Sequence, residues 1–314
     1  MTRYTRLTTC LLTAGALAGA VRAADPPEET AINEVAAYTI DSDTYELLRY
    51  SFATNDFTAV GVVATASGEV IKDCESLGYI PSGPHKGVYS APTTGAYSRH
   101  LVKIDPLTAV ATSYNATLVS ASRKITGMVP YYDAGAGEWL LLAASSEDKS
   151  SDPDSSETRI LVRIDPADGT STIVATKAML GDGRRFEGLA IDARGYLYAT
   201  SRTHFYRIHH EAGFWVEEIG ETGLDKAEAF EIAFGDYQNS ITIPGVDPGW
   251  TQHGVFFVAC ERTQQFGVLN PTDGSFQEYL VGGSPSTFIT KDAEGLIVLT
   301  LRHDPLYGSL VGFD

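Results

Sequence analysis

Arginine ends three strand-like segments in the second half of the sequence, at matching positions. The three segments are Tyr198–Arg202, Val258–Arg262 and Val298–Arg302. A guanidinium group presents a planar fork of donors that suits carboxylate, sulfate or phosphate. Arg202, Arg262 and Arg302 therefore predict a binding site for an anionic ligand if their strands lie side by side. Glu261, which precedes the second of these arginines, is a further candidate at this site.

Two histidines lie close to these arginines and could add acid–base chemistry. His204 follows Arg202 by two residues, and His303 follows Arg302 directly. Imidazole titrates near neutral pH, which makes His204 and His303 candidates for general acid–base catalysis. The sequence contains no Gly-x-Ser-x-Gly elbow, no His-Glu-x-x-His helix and no phosphate-binding loop. A serine triad is therefore not supported.

The arginine segments belong to a repeat that runs through the sequence. Six strand-like segments, several of them ending in Ile-Asp-Pro or Asn-Pro, have central residues at positions 50, 104, 164, 208, 269 and 313. Alternating apolar residues with Gly and Asp at the turns favour strands over helices. A strand repeat of roughly this length indicates a β-propeller.

The number of blades follows from how the strands are grouped. Phe186–Gly220 predicts one blade of four strands, and the stretches 75–114, 125–176 and 228–281 predict three more. The start of the chain supplies three strands of a blade, and the stretch 286–314 supplies three of another. Because two three-strand units cannot share one blade, we expect an all-β propeller with six blades of four antiparallel strands. Five blades is the alternative if Tyr38–Ile40 or Leu310–Phe313 is not a blade strand.

The N-terminal residues predict export. Arg3 and Arg6 precede an apolar run with small residues before Ala24, the pattern of a Sec-type signal peptide. We therefore expect a signal peptide at 1–23, an N-terminal tail at 24–35 and a single propeller domain at 36–314, in a secreted or periplasmic protein. No other segment of the sequence approaches the length that spans a membrane.

The charge of the sequence limits the choice of partners. The sequence has 23 Lys and Arg against 40 Asp and Glu, and the signal peptide contains three of the arginines and no acid. The remainder has 20 basic and 40 acidic residues, a net charge of −20. Nucleic acid and anionic membranes are poor partners for such an acidic protein.

Two cysteines remain after the signal peptide. Cys74 is predicted to start one inner strand, and Cys260 to end a strand two to three blades away. A disulfide is permitted in an oxidising compartment, but it requires the Cα atoms to lie within about 7 Å. Two buried thiols are the favoured interpretation, and a disulfide is the alternative.

The pattern of Glu187–Asp192 followed by Gly195–Thr200 resembles a known superfamily of six-bladed propellers. That superfamily includes NHL-repeat proteins, streptogramin lyases and the regucalcin/gluconolactonase family. Its enzymes hold a divalent metal at the mouth of the central channel through carboxylates at the starts of inner strands. The resemblance implies Glu75, Glu187 and Glu231, or Glu228 in place of the last, as ligands of calcium or magnesium.

The same resemblance implies that second strands end on the face where first strands begin. The arginines and histidines would then converge near Glu75 and Glu187 at the channel mouth. The metal match is partial, because no acid stands at the corresponding positions Gly127 and Ser286. The motifs that carry the resemblance are structural, so they imply a fold more than a reaction.

Three functions follow from these features. The first is binding of an anionic small molecule or glycan at the arginine-lined channel mouth. The second is a metal-assisted hydrolase or lyase with His204 or His303 as acid or base. The third is a protein-interaction scaffold, in which the arginines pair with Glu187, Glu231 and Glu261 and a protein partner binds outer loops such as the polar insertion Lys149–Glu157.

Overall fold

A computed structural model of the chain shows a β-propeller. The structure describes residues 34–51, 56–118, 124–147, 158–181, 183, 185–192, 194–224, 230–235, 255–260, 265–278, 280–281, 284–285, 293–303 and 310–311. The predicted signal peptide and the polar insertion at 149–157 lie outside these residues. Within the described residues each blade contains four antiparallel strands, as predicted.

The described strands form five blades, whose strands are named in order from the inner to the outer one. Blade 1 contains β23 (Ala293–His303), β1 (Glu34–Asp41), β2 (Glu46–Ser51) and β3 (Asp56–Val62), and β24 (Leu310–Val311) pairs with the end of β23. Blade 2 contains β5 (Gly78–Ile80), β6 (Gly87–Ser90), β7 (His100–Ile104) and β8 (Val110–Thr117), with β4 (Ala64–Thr65) beside β8. Blade 3 contains β9 (Ile125–Asp133), β10 (Glu138–Glu147), β11 (Thr158–Ile164) and β12 (Ser171–Ala175).

The remaining two blades follow the same plan. Blade 4 contains β13 (Gly188–Ile191), β14 (Leu197–Ser201), β15 (His204–His209) and β16 (Trp215–Glu221). Blade 5 contains β17 (Phe230–Gly235), β18 (Val255–Cys260), β19 (Gln265–Leu269) and β20 (Phe276–Glu278). A short hairpin, β21 (Leu280–Val281) with β22 (Ser284–Pro285), follows blade 5. The helices in the described part of the chain are α1 (Lys177–Leu180) and a 3₁₀ turn (His210–Ala212). Among the described residues, no helix has the length and apolar character needed to cross a membrane.

The structure has five blades where six were expected, because of how the ring closes. The last predicted unit does not form a blade of its own: residues 293–303 make one continuous strand that pairs with β1, with Tyr38 opposite Ile297. This strand is the inner strand that the first three strands of the chain lacked. Without this pairing, β1 and β23 would each expose an unpaired strand edge. β1 begins at Glu34, two residues inside the predicted tail.

The repeated Ile-Asp-Pro segment makes the turn between the third and fourth strands. Asp105 Oδ1 accepts from the amide of Leu107 at 2.9 Å, and Asp165 Oδ1 accepts from that of Ala167 at 2.8 Å. Such local carboxylate bonds stabilise tight turns. Each turn then closes with a residue of positive φ, Gly169 at 78° in blade 3 and Ala109 at 58° in blade 2. The two blades therefore share the same turn chemistry.

The core lies between neighbouring blades. One cluster of buried side chains fills each of the four interfaces from blade 1 to blade 5. Cys74 belongs to the cluster between blades 1 and 2, and Cys260 to the one between blades 4 and 5. The two cysteines are buried and are not joined by a disulfide.

The inner strands approach one another closely around the axis. β5, β9, β13, β17 and β23 are neighbours in that circular order. A Cβ atom on Gly127 would lie 2.6 Å from the backbone nitrogen of Leu189, and one on Gly295 would lie 2.7 Å from that of Leu77. Glycine at these two positions therefore lets adjacent inner strands touch through their backbones.

Candidate functional site

Inner strands begin on one face of the ring, which we call the upper face. In blade 4 the amide of Glu187, just before β13, bonds the carbonyl of Thr200 near the end of β14 at 2.8 Å. In blade 2 a bridge between Cys74 and Pro92 joins the equivalent segments. The start of the first strand and the end of the second therefore lie together on the upper face, as the predicted layout requires.

Glu75 lies on the upper face of blade 2 and is buried at 8% exposure. Its Oε1 contacts Nζ of Lys124, the residue before β9, and accepts a bond from Thr93 Oγ1 at 3.3 Å. The side chain of Glu75 is 11% exposed, whereas that of Lys124 is 50% exposed. A buried carboxylate therefore holds a solvent-accessible ammonium of the next blade.

Glu187 occupies the corresponding place in blade 4, at 5% exposure. Arg185 directs Nε at both carboxylate oxygens, at 3.0 and 2.9 Å. The backbone carbonyl of Phe186, between the two, accepts a bond from Thr126 Oγ1 of blade 3. Contacts between side chains and backbone thus link Glu75, blade 3 and Glu187 along the upper face.

Arg202 also lies on the upper face. It forms, with Thr203, the two-residue connection between β14 and β15, where Ser201 pairs with His204. Its φ is 50°, in the left-handed region that non-glycine residues occupy at some cost. Arg202 is partly exposed. Arg202 therefore lies at the end of the blade where the sequence predicted a ligand-binding guanidinium.

Arg302 and His303 lie at the opposite end of the ring. The sequence places them at the end of a second strand, but β23 is an inner strand and runs down from the upper face. Gly295, near its start, packs against the backbone of Ser76 and Leu77. Seven residues of strand, about 23 Å, separate Gly295 from Arg302. The structure therefore does not bring Arg302 to Arg202, nor His303 to His204.

The remaining predicted residues are in blade 5. Arg262 and Glu261 lie outside the described residues. The sequence comparison matched Cys260 with Thr200, but the structure shifts this match by one residue. Cys260 packs in the same cluster as Tyr198 and therefore faces blade 4. Since strand side chains alternate, Thr200 lies on the Tyr198 side and faces blade 5. Glu231 pairs with Ala259 in β17, and only its backbone is among the described parts of the chain.

His204 begins β15 on the upper face. Its Nδ1 lies 2.9 Å from Thr203 Oγ1, and its Nε2 lies 3.9 Å from Glu218 and 3.8 Å from Glu221. The imidazole stacks on Tyr206 with ring centroids 6.1 Å apart. These contacts orient the ring toward β16, the outer strand of blade 4. The predicted acid–base group therefore points along the outside of its blade.

Sequence reasoning missed three basic residues of the upper face. Lys124 and Arg185 pair with the predicted glutamates, and Arg159 is 5% exposed between two rings. The Arg159 guanidinium carbon lies 4.5 Å from the centroid of Phe186 and 4.6 Å from that of Tyr206. The sequence did contain a signal for Lys124 and Arg185: Lys124 directly precedes the inner strand β9, and Arg185 stands three residues before the inner strand β13.

Two buried hydroxyls lie just below the basic and acidic groups. Ser76 and Thr200 are fully buried, and Ser76 Oγ and Thr200 Oγ1 have no hydrogen-bond partner within the described part of the chain. The described residues contain no group of three or more His, Cys, Asp or Glu side chains arranged to hold a metal. Glu75 and Glu187, the two predicted metal ligands with described side chains, are both engaged by basic groups.

Comparison with known proteins gives only remote likenesses. No protein-family model matches the chain, and no curated protein matches it. It resembles the solved structure of an auxiliary nutrient-binding protein from Bacteroides thetaiotaomicron, at 11% identity and TM-score 0.36, over 66% of this chain and 56% of the other. The chain thus spans little more than half of that protein.

Two further solved structures show likeness at a similar level. A putative exo-β-1,3-galactanase from Bifidobacterium bifidum matches at 14% identity and TM-score 0.45, over 69% of this chain and 74% of the other. A luciferin-regenerating enzyme matches at 12% identity and TM-score 0.40, over 78% and 75%. None of these matches extends the predicted resemblance beyond the propeller fold, which stands on the sheets of the chain itself.

Proposed function

We propose that this protein is an exported propeller that binds an anionic small molecule, or the anionic end of a glycan, at the upper face of blades 2 to 4. The observation that carries the proposal is the set of basic side chains there on a chain of net charge −17. Lys124 lies at the start of blade 3, Arg185 and Arg202 lie in blade 4, and all three are at least partly accessible. Basic groups concentrated on an acidic protein focus anions locally against the overall repulsion.

The buried glutamates support this role by fixing the cations. Glu75 holds Lys124, and Glu187 holds Arg185, each with the acid far more buried than the base. A side chain that is already held in place loses less conformational entropy when a ligand binds. The same pairs leave both carboxylates engaged by protein cations, which favours an anion over a metal ion as the ligand.

The hydroxyls of Ser76 and Thr200 give separate support. A buried hydroxyl without a partner costs about 1–3 kcal/mol, so native proteins pair such groups with water or ligand. Ser76 lies just before the inner strand β5, and Thr200 pairs with Gly188 at the start of the inner strand β13. We infer that water or a polar group of the ligand reaches this layer.

We expect Arg202→Gln and Lys124→Gln each to weaken binding of an anionic probe. Loss of one charge-assisted contact corresponds to about a tenfold rise in Kd. The measurement is isothermal titration with phosphate, citrate and tetragalacturonate at low and at physiological salt. Binding of the wild-type protein should fall as salt rises, because partly exposed charges are screened.

A matched control removes the same charge from the other face. Arg163→Gln changes a guanidinium whose side chain is 44% exposed and which pairs with Asp133. Anion binding should survive this change. If Arg163→Gln and Arg202→Gln weaken anion binding equally, the effect comes from the net charge and not from a site on the upper face. If the wild-type protein binds none of the three anions, the proposal is contradicted.

A further inference from the structure

Lys103 of blade 2 lies against a buried aromatic ring. It stands in β7 directly opposite Tyr89 of β6, so the two side chains lie on the same side of the blade. Lys103 Nζ is 5.6 Å from the centroid of the Tyr89 ring, which is fully buried. Because Tyr89 belongs to the core cluster between blades 2 and 3, this side of the blade faces blade 3. The amine of Lys103 therefore lies at the border between that core and solvent.

Gly87 makes room for the lysine. It stands two residues before Tyr89 in β6 and so lies on the same side of the blade. A Cβ atom on Gly87 would overlap Lys103 Cε and lie 3.2 Å from its Nζ. The end of the lysine side chain therefore lies against the backbone of β6. Lys103 is still partly exposed, so the site is open to small molecules.

The surroundings of Lys103 favour its uncharged amine. Within the described part of the chain no carboxylate forms an ion pair with Lys103, whereas the ammonium of Lys124 pairs with Glu75. Burial lowers the pKa of Lys103, because the ammonium loses part of its hydration. The Tyr89 ring compensates weakly, since its centroid lies near the outer limit of a cation–π contact. Near neutral pH, Lys103 is therefore an uncharged nucleophile more often than a lysine in solvent.

We propose that Lys103 is the attachment site for a small aldehyde, which it binds as an imine. The Nζ lone pair adds to the carbonyl carbon and forms the C–N bond, and the carbonyl oxygen leaves as water with two protons from the amine. The step is reversible and needs no oxidant or reductant. A desolvated lysine without an acidic partner suits such carbonyl chemistry. This inference is independent of the anion site, because it involves none of the upper-face residues.

The test traps imines on the folded full chain with glyceraldehyde and cyanoborohydride at neutral pH, and peptide mass spectrometry locates the adducts. Cyanoborohydride gives hydride to the imine carbon and makes the adduct permanent. Lys72 is the matched control, because its Nζ also lies over a ring, 5.7 Å from the Tyr45 centroid, but the residue is exposed. Lys103 should be labelled at least about threefold faster than Lys72. Labelling of Lys103 that is no faster than that of Lys72 would overturn the proposal.

Gly87→Ala separates the reactivity of the amine from access to it. The added methyl group displaces the end of Lys103 from β6 into solvent, which restores its hydration. Labelling of Lys103 should then fall to the rate of Lys72, whereas access alone would make it rise. A rate in the variant equal to or above that of the wild type would overturn the assignment. Alanine is strained at the Gly87 φ of 154°, so circular dichroism checks the fold first; if the variant does not fold, the comparison with Lys72 decides.

Discussion

Gly127→Ala is expected to lower the free energy of unfolding by about 3 kcal/mol or more, because it forces two blades apart. The added Cβ would lie 2.6 Å from the nitrogen of Leu189 and 2.9 Å from the carbonyl carbon of Gly188. These are backbone atoms of the neighbouring inner strand, and no side-chain rotation can relieve the contact. Denaturant unfolding followed by circular dichroism measures the effect.

The control for this change is Gly195→Ala. Gly195 lies in the β13–β14 turn with φ 81°, and a Cβ there would meet nothing within 4 Å. The substitution therefore costs only the left-handed backbone strain of an alanine, about 1 kcal/mol. A loss at Gly127 no larger than the loss at Gly195 would show that the inner strands are not in backbone contact.

Arg185→Met is expected to cost about 3 kcal/mol, the second large effect. Its side chain is 20% exposed, and Glu187, which it contacts through both carboxylate oxygens, has a side chain 6% exposed. Removing the cation takes away one charge partner of a buried carboxylate, so the desolvation of that carboxylate is less well compensated. The free energy of unfolding at neutral pH is the quantity to compare.

Arg163→Met is the matched comparison, since it deletes the same group from an exposed pair. Its 3.7 Å contact with Asp133 should be worth at most about 1 kcal/mol. The double variant Arg185→Met with Glu187→Leu should regain much of the loss, because no charge then remains buried. If the double variant is as unstable as Arg185→Met alone, the cost lies in packing and not in the lost ion pair.

The sequence was sufficient to predict the propeller because the repeat is carried by local chemistry. The Asp105 and Asp165 turns and the alternation of apolar residues are each visible in a short window. The blade count is different, since it depends on whether residues 293–303 form one strand or two. That distinction is decided by pairing with β1 at the other end of the chain, which no local pattern reports.

The same distinction between local and long-range information applies to the candidate site. Glu75 and Glu187 could be found because they occupy one repeat position before an inner strand. Arg302 was predicted on the upper face because its segment was taken for a second strand, whereas β23 is an inner strand that ends on the opposite face. Lys124 could not be identified as the partner of Glu75 from spacing alone, because the pair joins two blades.

The pairing of Tyr38 with Ile297 has a consequence for the order of folding. Hairpins within blades 2 to 5 join residues close in sequence, and such contacts form early and fast. β1 and β23 are far apart in the sequence, so we expect their pairing to form after the local hairpins, because the entropy of closing a long loop is lost before the contact is gained. Until then the first three strands expose an unpaired edge, which makes the nascent chain, more than the finished ring, the form that is open to wrong strand pairing.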